Sequence, residues 1–286
     1  MPEIGNKIDI DLIDETFDIS QSENYNLSVQ IGQDGLTFCV LNTVINKYVC
    51  LRNYPISSTD MSGTISECKM IFERDDLLGL RYKRSKLLLI SPRFTFVPDN
   101  FYDDNNKDFY LTFNHGAATG EQTLQNHVKS ANFYNIFSYP EELLALLKKY
   151  QPDINLFHHA TPIVDTFITG RSHSTEASAY FYCGHLDIII AKNNRLLYYN
   201  TFSIDAPEDS VYYLIVTSNL FDIDLKTTKL IYPGNYEQMP SEIAILNNYV
   251  ECIVECESPT AVTYSHYISK VYRKRFINLF NLYGCE

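Results

Sequence analysis

The chain is short of basic residues and lacks any long apolar run. Its 286 residues include 23 lysines and arginines against 35 aspartates and glutamates, so the formal net charge is −12. Nucleic acids and anionic membranes attract proteins through many cationic side chains. No segment reaches the roughly 18 uninterrupted apolar residues that a membrane-spanning helix needs. We therefore expect no nucleic-acid partner and no membrane insertion.

The N-terminus also lacks the features of a secretory signal. The stretch MPEIGNKIDIDLIDETFDIS has neither a basic start nor an apolar run of signal length, so we expect a cytoplasmic protein. The 7 cysteines are an odd number scattered along the chain, which favours reduced thiols over a disulfide framework. Cys252 and Cys256 have no histidine or further cysteine clustered beside them, so no metal site is predicted.

Strand patterns and helix patterns alternate along the whole chain, and the first half begins with three strands rich in Val, Leu, Phe and Tyr. The elements predicted in this half are a strand meander at 27–56, a helix with its N-cap within Ser58-Thr59-Asp60 and its end near Gly79, a strand at 86–91, a helix at 98–114, strands at 127–129 and 133–138, and a helix at 141–150. The last helix has acids in its first turn and lysines in its last turn, which complements the helix dipole.

The second half repeats this order. Its predicted elements are a strand at 154–159, a helix at 161–169, a meander at 179–204, a helix at 207–221, a strand at 229–235, a helix at 241–249 and a strand at 251–257. Asn193-Asn194 predicts a tight hairpin, since asparagine tolerates the left-handed conformation. A repeated meander followed by alternating helices and strands predicts an α/β protein with two layered sheets and a cleft between them. We place the halves at residues 1–150 and 151–286, with residues 1–20 as an extra strand or a loose arm.

Three stretches carry a resemblance to a known family: LSVQIGQDGLTFCVL from Leu27, FNHG from Phe113, and FINLFNLYGCE at the end of the chain. They resemble an uncharacterised bacterial family, known only as a domain of unknown function, with an actin-like ATPase fold. The chain is also distantly similar to pilus-assembly ATPase-like proteins. This resemblance implies two duplicated ribonuclease H-like halves, each a mixed sheet flanked by helices, with an interdomain cleft.

The resemblance also implies where a nucleotide site would lie. In the actin-like superfamily each half opens with a hairpin whose turn faces the nucleotide phosphates, and a later strand ends in a glycine turn against the adenosine. Carried onto this chain, the candidate cleft-facing residues are Gly32, Gln33, Asp34 and Gly35 in the first turn, Gly184, His185 and Asp187 in the second, and Gly234 in the third.

Three departures from the superfamily pattern predict a degenerate site. Gln30 stands where a carboxylate would position magnesium, and an amide carries no formal charge. Tyr182 stands at the matching place in the second hairpin, and a phenol is neutral near pH 7. Pro233 replaces a glycine and removes a backbone donor. We therefore expect no bound cofactor and name no catalytic residue.

Asp34 and Asp187 leave an alternative open, because either carboxylate could replace a lost one and hold ATP and magnesium. Their simpler interpretation is as polar residues at hairpin ends. The histidines His158, His159 and His185 could form an acid–base site with Asp165 or Asp187. No nucleophile motif accompanies these histidines, so such a site is not predicted.

Two function hypotheses follow. The first is a non-enzymatic actin-like scaffold or protein-interaction module, with an unidentified protein partner and a degenerate nucleotide cleft. The alternative is a divergent nucleotide-binding protein, an ATPase or a small-molecule kinase, that uses Asp34 or Asp187. Self-association into a homo-oligomer is a further expectation, because actin-like folds often assemble.

Overall fold

A computed structural model describes residues 8–32, 35–169, 175–182, 184–232, 240–255 and 261–285. The chain forms two compact units. The first comprises residues 1–162, 259–269 and 278–286, and the second comprises residues 163–258 and 270–277. Two C-terminal segments therefore belong to the first unit, whereas the sequence-based division at residue 150 placed them in the second half.

The elements up to residue 168 are β1 (Ile10–Ile13), β2 (Tyr25–Gly32), β3 (Gly35–Asn42), β4 (Lys47–Tyr54), α1 (Met61–Arg74), β5 (Arg84–Leu89), β6 (Phe94–Pro98), α2 (Lys107–His115), β7 (Glu121–Val128), β8 (Phe133–Pro140), α3 (Glu141–Tyr150), β9 (Asn155–His158) and α4 (Ala160–Ile168). The later elements are β10 (Thr175–Tyr182), β11 (His185–Lys192), β12 (Arg195–Ser203), α5 (Pro207–Leu220), β13 (Lys229–Tyr232), α6 (Pro240–Leu246), β14 (Ile253–Glu255), β15 (Thr263–Tyr264), α7 (Lys270–Arg275) and α8 (Ile277–Asn281). Short 3₁₀ helices lie at Ile19–Asn24, Asp99–Phe101, Asp104–Asn106, Lys129–Ala131 and Leu282–Gly284.

The main sheets of the two units share one topology. The first sheet has the order β1-β4-β3-β2-β5-β9, with β15 beside β4, and the second has the order β12-β11-β10-β13-β14. In both sheets an antiparallel three-stranded meander is followed by a strand that pairs in parallel with the first strand of that meander. The path β4-β3-β2-β5-β9 thus has the same order as β12-β11-β10-β13-β14, which confirms the duplication that the sequence pattern predicts.

Strand β2 shows why the central strands are apolar on both faces. Its residues Leu27, Val29 and Ile31 point to the core that also contains residues of α1 and α3. The intervening Ser28 and Gln30 are buried as well. A sheet that is covered on both sides gives strands without a clean alternation of polar and apolar residues.

The helices begin and end where local chemistry dictates. The Asp60 side chain accepts a hydrogen bond of 2.7 Å from the backbone N–H of Gly63 and caps α1, as the sequence predicts. In the second unit, Asn193 and Asn194 have φ values of +52° and +58°. These left-handed residues form the predicted tight turn between β11 and β12.

The first unit carries an insertion between β5 and α3. Strands β6, β8 and β7 form a separate three-stranded antiparallel sheet, and α2 packs against it. In the second unit, α6 is the one helix or strand among the described residues between the corresponding strands β13 and β14. The insertion therefore breaks the symmetry between the two units.

The prediction of one helix at 98–114 was wrong. Residues 94–98 form β6, and two 3₁₀ turns precede α2. The Asp103 carboxylate accepts hydrogen bonds from the backbone and side chain of Asn105, and such local bonds compete with helix formation. The strand predicted at 127–129 is the longer β7, which was missed because its sequence, EQTLQNHV, is mostly polar.

No helix in the described part of the chain has the length and apolar character needed to cross a bilayer.

Candidate functional site

The first candidate turn joins β2 to β3, and its flanking residues Gly32 and Gly35 pair directly across the hairpin. Gln33 and Asp34 lie outside the described residues. Gly35 has a φ of +153°, and a Cβ atom added there would lie 2.5 Å from the carbonyl oxygen of Tyr54. Only glycine fits this position without a shift of β4.

Gln30 lies two residues before this turn among uncharged polar groups. It pairs across the strands with Thr37, and Thr37 pairs in turn with Asn53. The Asn53 Nδ2 donates a hydrogen bond of 2.7 Å to the Thr37 hydroxyl. The Gln30 Oε1 is buried and accepts no hydrogen bond from the described residues. This row of an amide, a hydroxyl and a second amide contains no formal charge.

The second candidate turn joins β10 to β11. Gly184 has a φ of +72°, and its carbonyl accepts a hydrogen bond of 2.7 Å from the N–H of Ile204. Tyr182 and His185 pair across the turn with stacked rings whose centroids are 5.6 Å apart. Cys183 lies outside the described residues.

Asp187 is the most constrained residue of this hairpin. Its side chain is completely buried. Its Oδ1 accepts hydrogen bonds from the Tyr182 hydroxyl at 3.1 Å and the Thr201 hydroxyl at 2.6 Å. Its Oδ2 accepts one from the Tyr199 hydroxyl at 2.6 Å. The sequence suggested a polar residue at a hairpin end. The structure makes the buried Asp187 the centre of a hydroxyl cluster, formed by Tyr182, Asp187, Tyr199 and Thr201, in which Tyr199 and Thr201 are half-buried.

The hydroxyl protons of this cluster stay in place at neutral pH. Burial raises the pKa of Tyr182 well above its ordinary value, and the nearby charge of Asp187 raises it further. The same two causes raise the pKa of Tyr199. Each tyrosine therefore remains a donor to Asp187. Since a carboxylate has about four acceptor positions, three hydroxyl donors leave Asp187 little capacity for a metal or its waters.

Tyr199 and Thr201 are the members of this cluster that sequence reasoning missed. Both lie on β12, and Thr201 pairs directly with Asp187 on β11. Residues at positions i and i+2 of a strand share a face. The two-residue spacing of Tyr199 and Thr201 on a strand predicted to pair with β11 was therefore the signal that could have found them.

His158 and His159 are both fully buried at the end of β9. The backbone N–H of Ala160 donates to the His158 Nδ1 at 3.3 Å, and the His158 Nε2 lies 2.8 Å from the carbonyl oxygen of Ser91. Because an N–H can only donate and a carbonyl can only accept, Nδ1 is unprotonated and Nε2 carries the hydrogen. Burial, together with the neighbouring His159, lowers the pKa of His158 well below its ordinary value.

The surroundings of His158 join the main sheet to the inserted sheet. The backbone N–H of His158 donates to Asn126 on β7, and Asn135 on β8 lies 3.3 Å from the His158 ring. Thr161 contacts both asparagines, at 3.0 Å each. The geometry gives His158 a structural role: with its side chain uncharged, it connects β9 to β7 and β8 of the inserted sheet.

Among the residues that the structure describes, no group of three or more His, Cys, Asp and Glu side chains is placed to hold a metal ion. Cys252 is an exposed free thiol. Cys256, and the third candidate turn with Pro233 and Gly234, lie outside the described ranges.

Comparison with proteins of known structure shows the fold. A Bacteroides thetaiotaomicron protein, described as having an actin-like ATPase fold and unknown function, matches with a TM-score of 0.82 at 20% sequence identity, over 95% of this chain and 100% of its own. A chain of the PilM–PilN type IV pilus biogenesis complex matches with a TM-score of 0.54 at 10% identity, over 91% of this chain and 98% of its own. The protein therefore has the actin-like ATPase fold.

No curated protein matches this chain. The family model described as "Protein of unknown function (DUF3822)" matches residues 14–253, and the chain therefore belongs to the DUF3822 family.

Proposed function

We propose that the protein is a non-enzymatic actin-like protein that acts by binding another protein and does not hydrolyse a nucleotide. The observation that carries this proposal is the chemistry of the two hairpins. In the described part of the first hairpin and on the neighbouring strand β4, the paired residues Gln30, Thr37 and Asn53 are uncharged. The second hairpin has its carboxylate, Asp187, surrounded by three hydroxyl donors of its own sheet.

These residues do not fit a magnesium–nucleotide complex. Magnesium requires oxygen ligands in near-octahedral geometry and is held in nucleotide sites by carboxylates together with phosphates. Phosphoryl transfer depends on positioned charge, because the protein supplies mainly electrostatic stabilisation. Gln30 supplies no charge, and each lost interaction of about 1.4 kcal/mol lowers affinity about tenfold. These residues therefore do not support a reaction on a bound nucleotide.

Protein binding is supported by the insertion in the first unit and by one relative in fold. The three-stranded sheet and α2 have no counterpart among the described residues of the second unit, so they are not needed to complete the duplicated fold. PilM, which has a similar fold, is known in a complex with PilN. The aromatic side chains of Phe109 and Phe113 on the insertion are exposed to solvent.

The alternative is an ATPase or small-molecule kinase that uses Asp34 or Asp187. The actin-like fold itself favours it, since nucleotide sites are typical of this superfamily. It requires phosphate release from ATP that Asp34→Ala or Asp187→Ala abolishes. Phosphate release equal to a no-protein control in the wild type would exclude this alternative.

Melting in the presence of magnesium and ATP tests the proposal. A ligand that binds the folded state at about 100 times its Kd stabilises that state by about 2.7 kcal/mol. We expect the melting temperature at millimolar magnesium and ATP to equal that with magnesium alone. A rise of several degrees, present with ATP and absent with magnesium alone, would contradict the proposal.

A further inference from the structure

The outer face of α2 carries two phenylalanines that are largely exposed to solvent. Phe109 is 63% exposed and Phe113 is 77% exposed. Their spacing of four residues places them on the same face of the helix, and their ring centroids are 5.9 Å apart. We call these two residues the aromatic pair. Neither side chain fills the core of the insertion, which is formed by Val97, Leu111 and Ile136.

The inner face of α2 fixes the helix to the inserted sheet. Leu111 is buried in the core of the insertion, and the Asn114 Nδ2 donates to the Thr95 hydroxyl at 3.1 Å. The Tyr110 hydroxyl donates to the carbonyl of Phe101 at 2.7 Å. These contacts hold the outer face in one orientation before any partner arrives.

The C-terminal end of α2 is anchored as well. The Arg93 guanidinium donates to the carbonyls of His115 and Gly116, at 3.0 and 2.7 Å. A cation at this position also complements the negative end of the helix dipole. The His115 Nε2 lies 2.7 Å from the carbonyl of Phe94. Because α2 is held at its end and along its inner face, presenting the aromatic pair costs little ordering on binding.

The fold does not require phenylalanine at either position. Exposed helix positions favour Ala, Leu, Glu, Lys, Gln and Arg, and phenylalanine is a weaker helix former. Buried aromatic side chains each bring about 150–250 Å² of contact area and are typical anchors of protein interfaces. Two exposed phenylalanines on a fixed helix therefore indicate a surface that a partner covers.

The charge around the aromatic pair defines the chemistry of that partner. Residues 99–115 contain four aspartates and one lysine, so their formal net charge is −3. The side chain of Asp108, next to Phe109, is exposed and makes no hydrogen bond or ion pair with the residues that the structure describes. The Lys107 Nζ lies 3.8 Å from the Asp104 Oδ1. An acidic surface repels anionic membranes and attracts lysine and arginine side chains.

We infer that α2 is a docking helix whose aromatic pair inserts into an apolar groove of a partner protein, with lysine or arginine residues at the rim of that groove. This is the helix-in-groove mode of recognition, with anchors at i and i+4. The inference rests on the proposed function and names the surface and the partner chemistry that serve it. Asp108 pairs with the basic rim and fixes the orientation of the helix in the groove.

Site-specific photo-crosslinking in cells that naturally make the protein tests this inference. The full chain carries a photo-reactive amino acid at position 113 or, as a matched control, at position 220, where Leu220 is 73% exposed at the end of α5. The protein that crosslinks from position 113 is identified, purified and titrated with four forms of the chain. These forms are the wild type, the double variant Phe109→Ser/Phe113→Ser, the variant Asp108→Lys, and the control Leu220→Ser.

We expect the crosslinked segment of the partner to combine apolar residues with lysines or arginines. Affinity should fall about tenfold or more in the double variant, as for interface anchors, and should fall in Asp108→Lys. It should be unchanged in Leu220→Ser and should weaken as salt increases. All four forms should melt at similar temperatures, because the substituted side chains are exposed.

Four outcomes would overturn the inference. These are a crosslink to a second copy of this chain, a crosslink to lipid, no crosslink from position 113, and a partner that binds the double variant as tightly as the wild type. A partner captured only from position 220 would leave the proposed function standing while removing α2 as its docking surface. Nucleotide binding by the wild type would instead contradict the proposed function.

Discussion

Asp187 is the residue at which the structure differs most from what the sequence suggests. A carboxylate near a hairpin turn is usually solvated or binds a ligand, yet Asp187 is buried beneath three hydroxyl groups. Tyr182, which the resemblance places where the superfamily has a carboxylate, is one of those donors. The substitution at position 182 and the burial of Asp187 are therefore two parts of one structural arrangement.

Asp187→Asn should destabilise the protein. In asparagine one carboxylate oxygen is replaced by an NH2 group, which cannot accept a hydrogen bond from the hydroxyl groups of the cluster. The remaining oxygen can still accept. Loss of buried charge-assisted hydrogen bonds costs about 1.5–3 kcal/mol. Urea unfolding measures this change, with Thr201→Val as a milder control because that variant removes a single donor. Equal stability of Asp187→Asn and the wild type would contradict a structural role and would favour a ligand-binding role for Asp187.

His158 should make stability depend on pH. In the folded state the pKa of His158 is lowered well below its ordinary value by burial, whereas in the unfolded chain it is about 6.5. The unfolded chain therefore binds more protons between these two pKa values, and stability falls as pH decreases below about 6.5. Above that pH the contribution of His158 is constant.

Urea unfolding at pH 7.5 and pH 5.5 checks this dependence. The wild type should lose stability over this interval. His158→Gln should be less stable than the wild type at pH 7.5, because it disturbs the contacts with Ser91 and Ala160, but should lose less on acidification. An equal loss in both proteins would show that His158 is not the group responsible.

At the scale of elements, the β2–β3 hairpin requires glycine at position 35, because the end of β4 lies close to it. Gly35→Ala should cost about 3 kcal/mol or more, because the new Cβ would meet the Tyr54 carbonyl and cannot keep a positive φ without strain. Gly120 is the matched control, since it has a φ of +74° and no atom within 4 Å of a Cβ placed there. Gly120→Ala should cost only about 1 kcal/mol. Equal losses of unfolding free energy would exclude the contact with Tyr54.

Lys86 on β5 holds the C-terminal segment against the first unit. Its ammonium group donates to the carbonyls of Leu282, at 3.2 Å, and Tyr283, at 3.3 Å, and also to that of Cys285. Lys86→Met should destabilise the protein by about 1–3 kcal/mol for each carbonyl left without a donor. Lys83→Met, at an exposed lysine that donates to the Thr43 hydroxyl, should be nearly neutral. Equal unfolding midpoints for the two variants would contradict this role of Lys86.

Elements with strong local patterns could be predicted from the sequence. The meanders, α1, α3 and α5 combine periodic apolar residues with caps or turn residues, so each segment determines its own structure. Strand β1 was not predicted as a definite element, because it is short and forms only by pairing with β4. The resemblance assigns Gln30 and Tyr182 to the nucleotide hairpins, and that assignment stays a prediction. The contacts of Asp187 with Tyr199 and Thr201 were not predicted, because they depend on the register of β12.

At the scale of the whole molecule, the two main sheets are copies in topology, and the insertion with α2 is what distinguishes the first unit. In the hairpins of the duplicated sheets, the candidate residues Gln30 and Tyr182 are uncharged, and Asp187 accepts hydrogen bonds from hydroxyl groups of its own sheet. The insertion presents an acidic surface with exposed aromatic side chains. On our proposal, the protein acts through a surface of the insertion and not through a nucleotide site.

Isothermal titration calorimetry of magnesium and ATP into the wild-type protein tests this account most directly. A nucleotide-binding actin-like ATPase, titrated under the same conditions, serves as the positive control. The account predicts no binding heat above that of dilution at millimolar nucleotide. A saturable isotherm with a micromolar Kd, abolished when magnesium is removed, would contradict it.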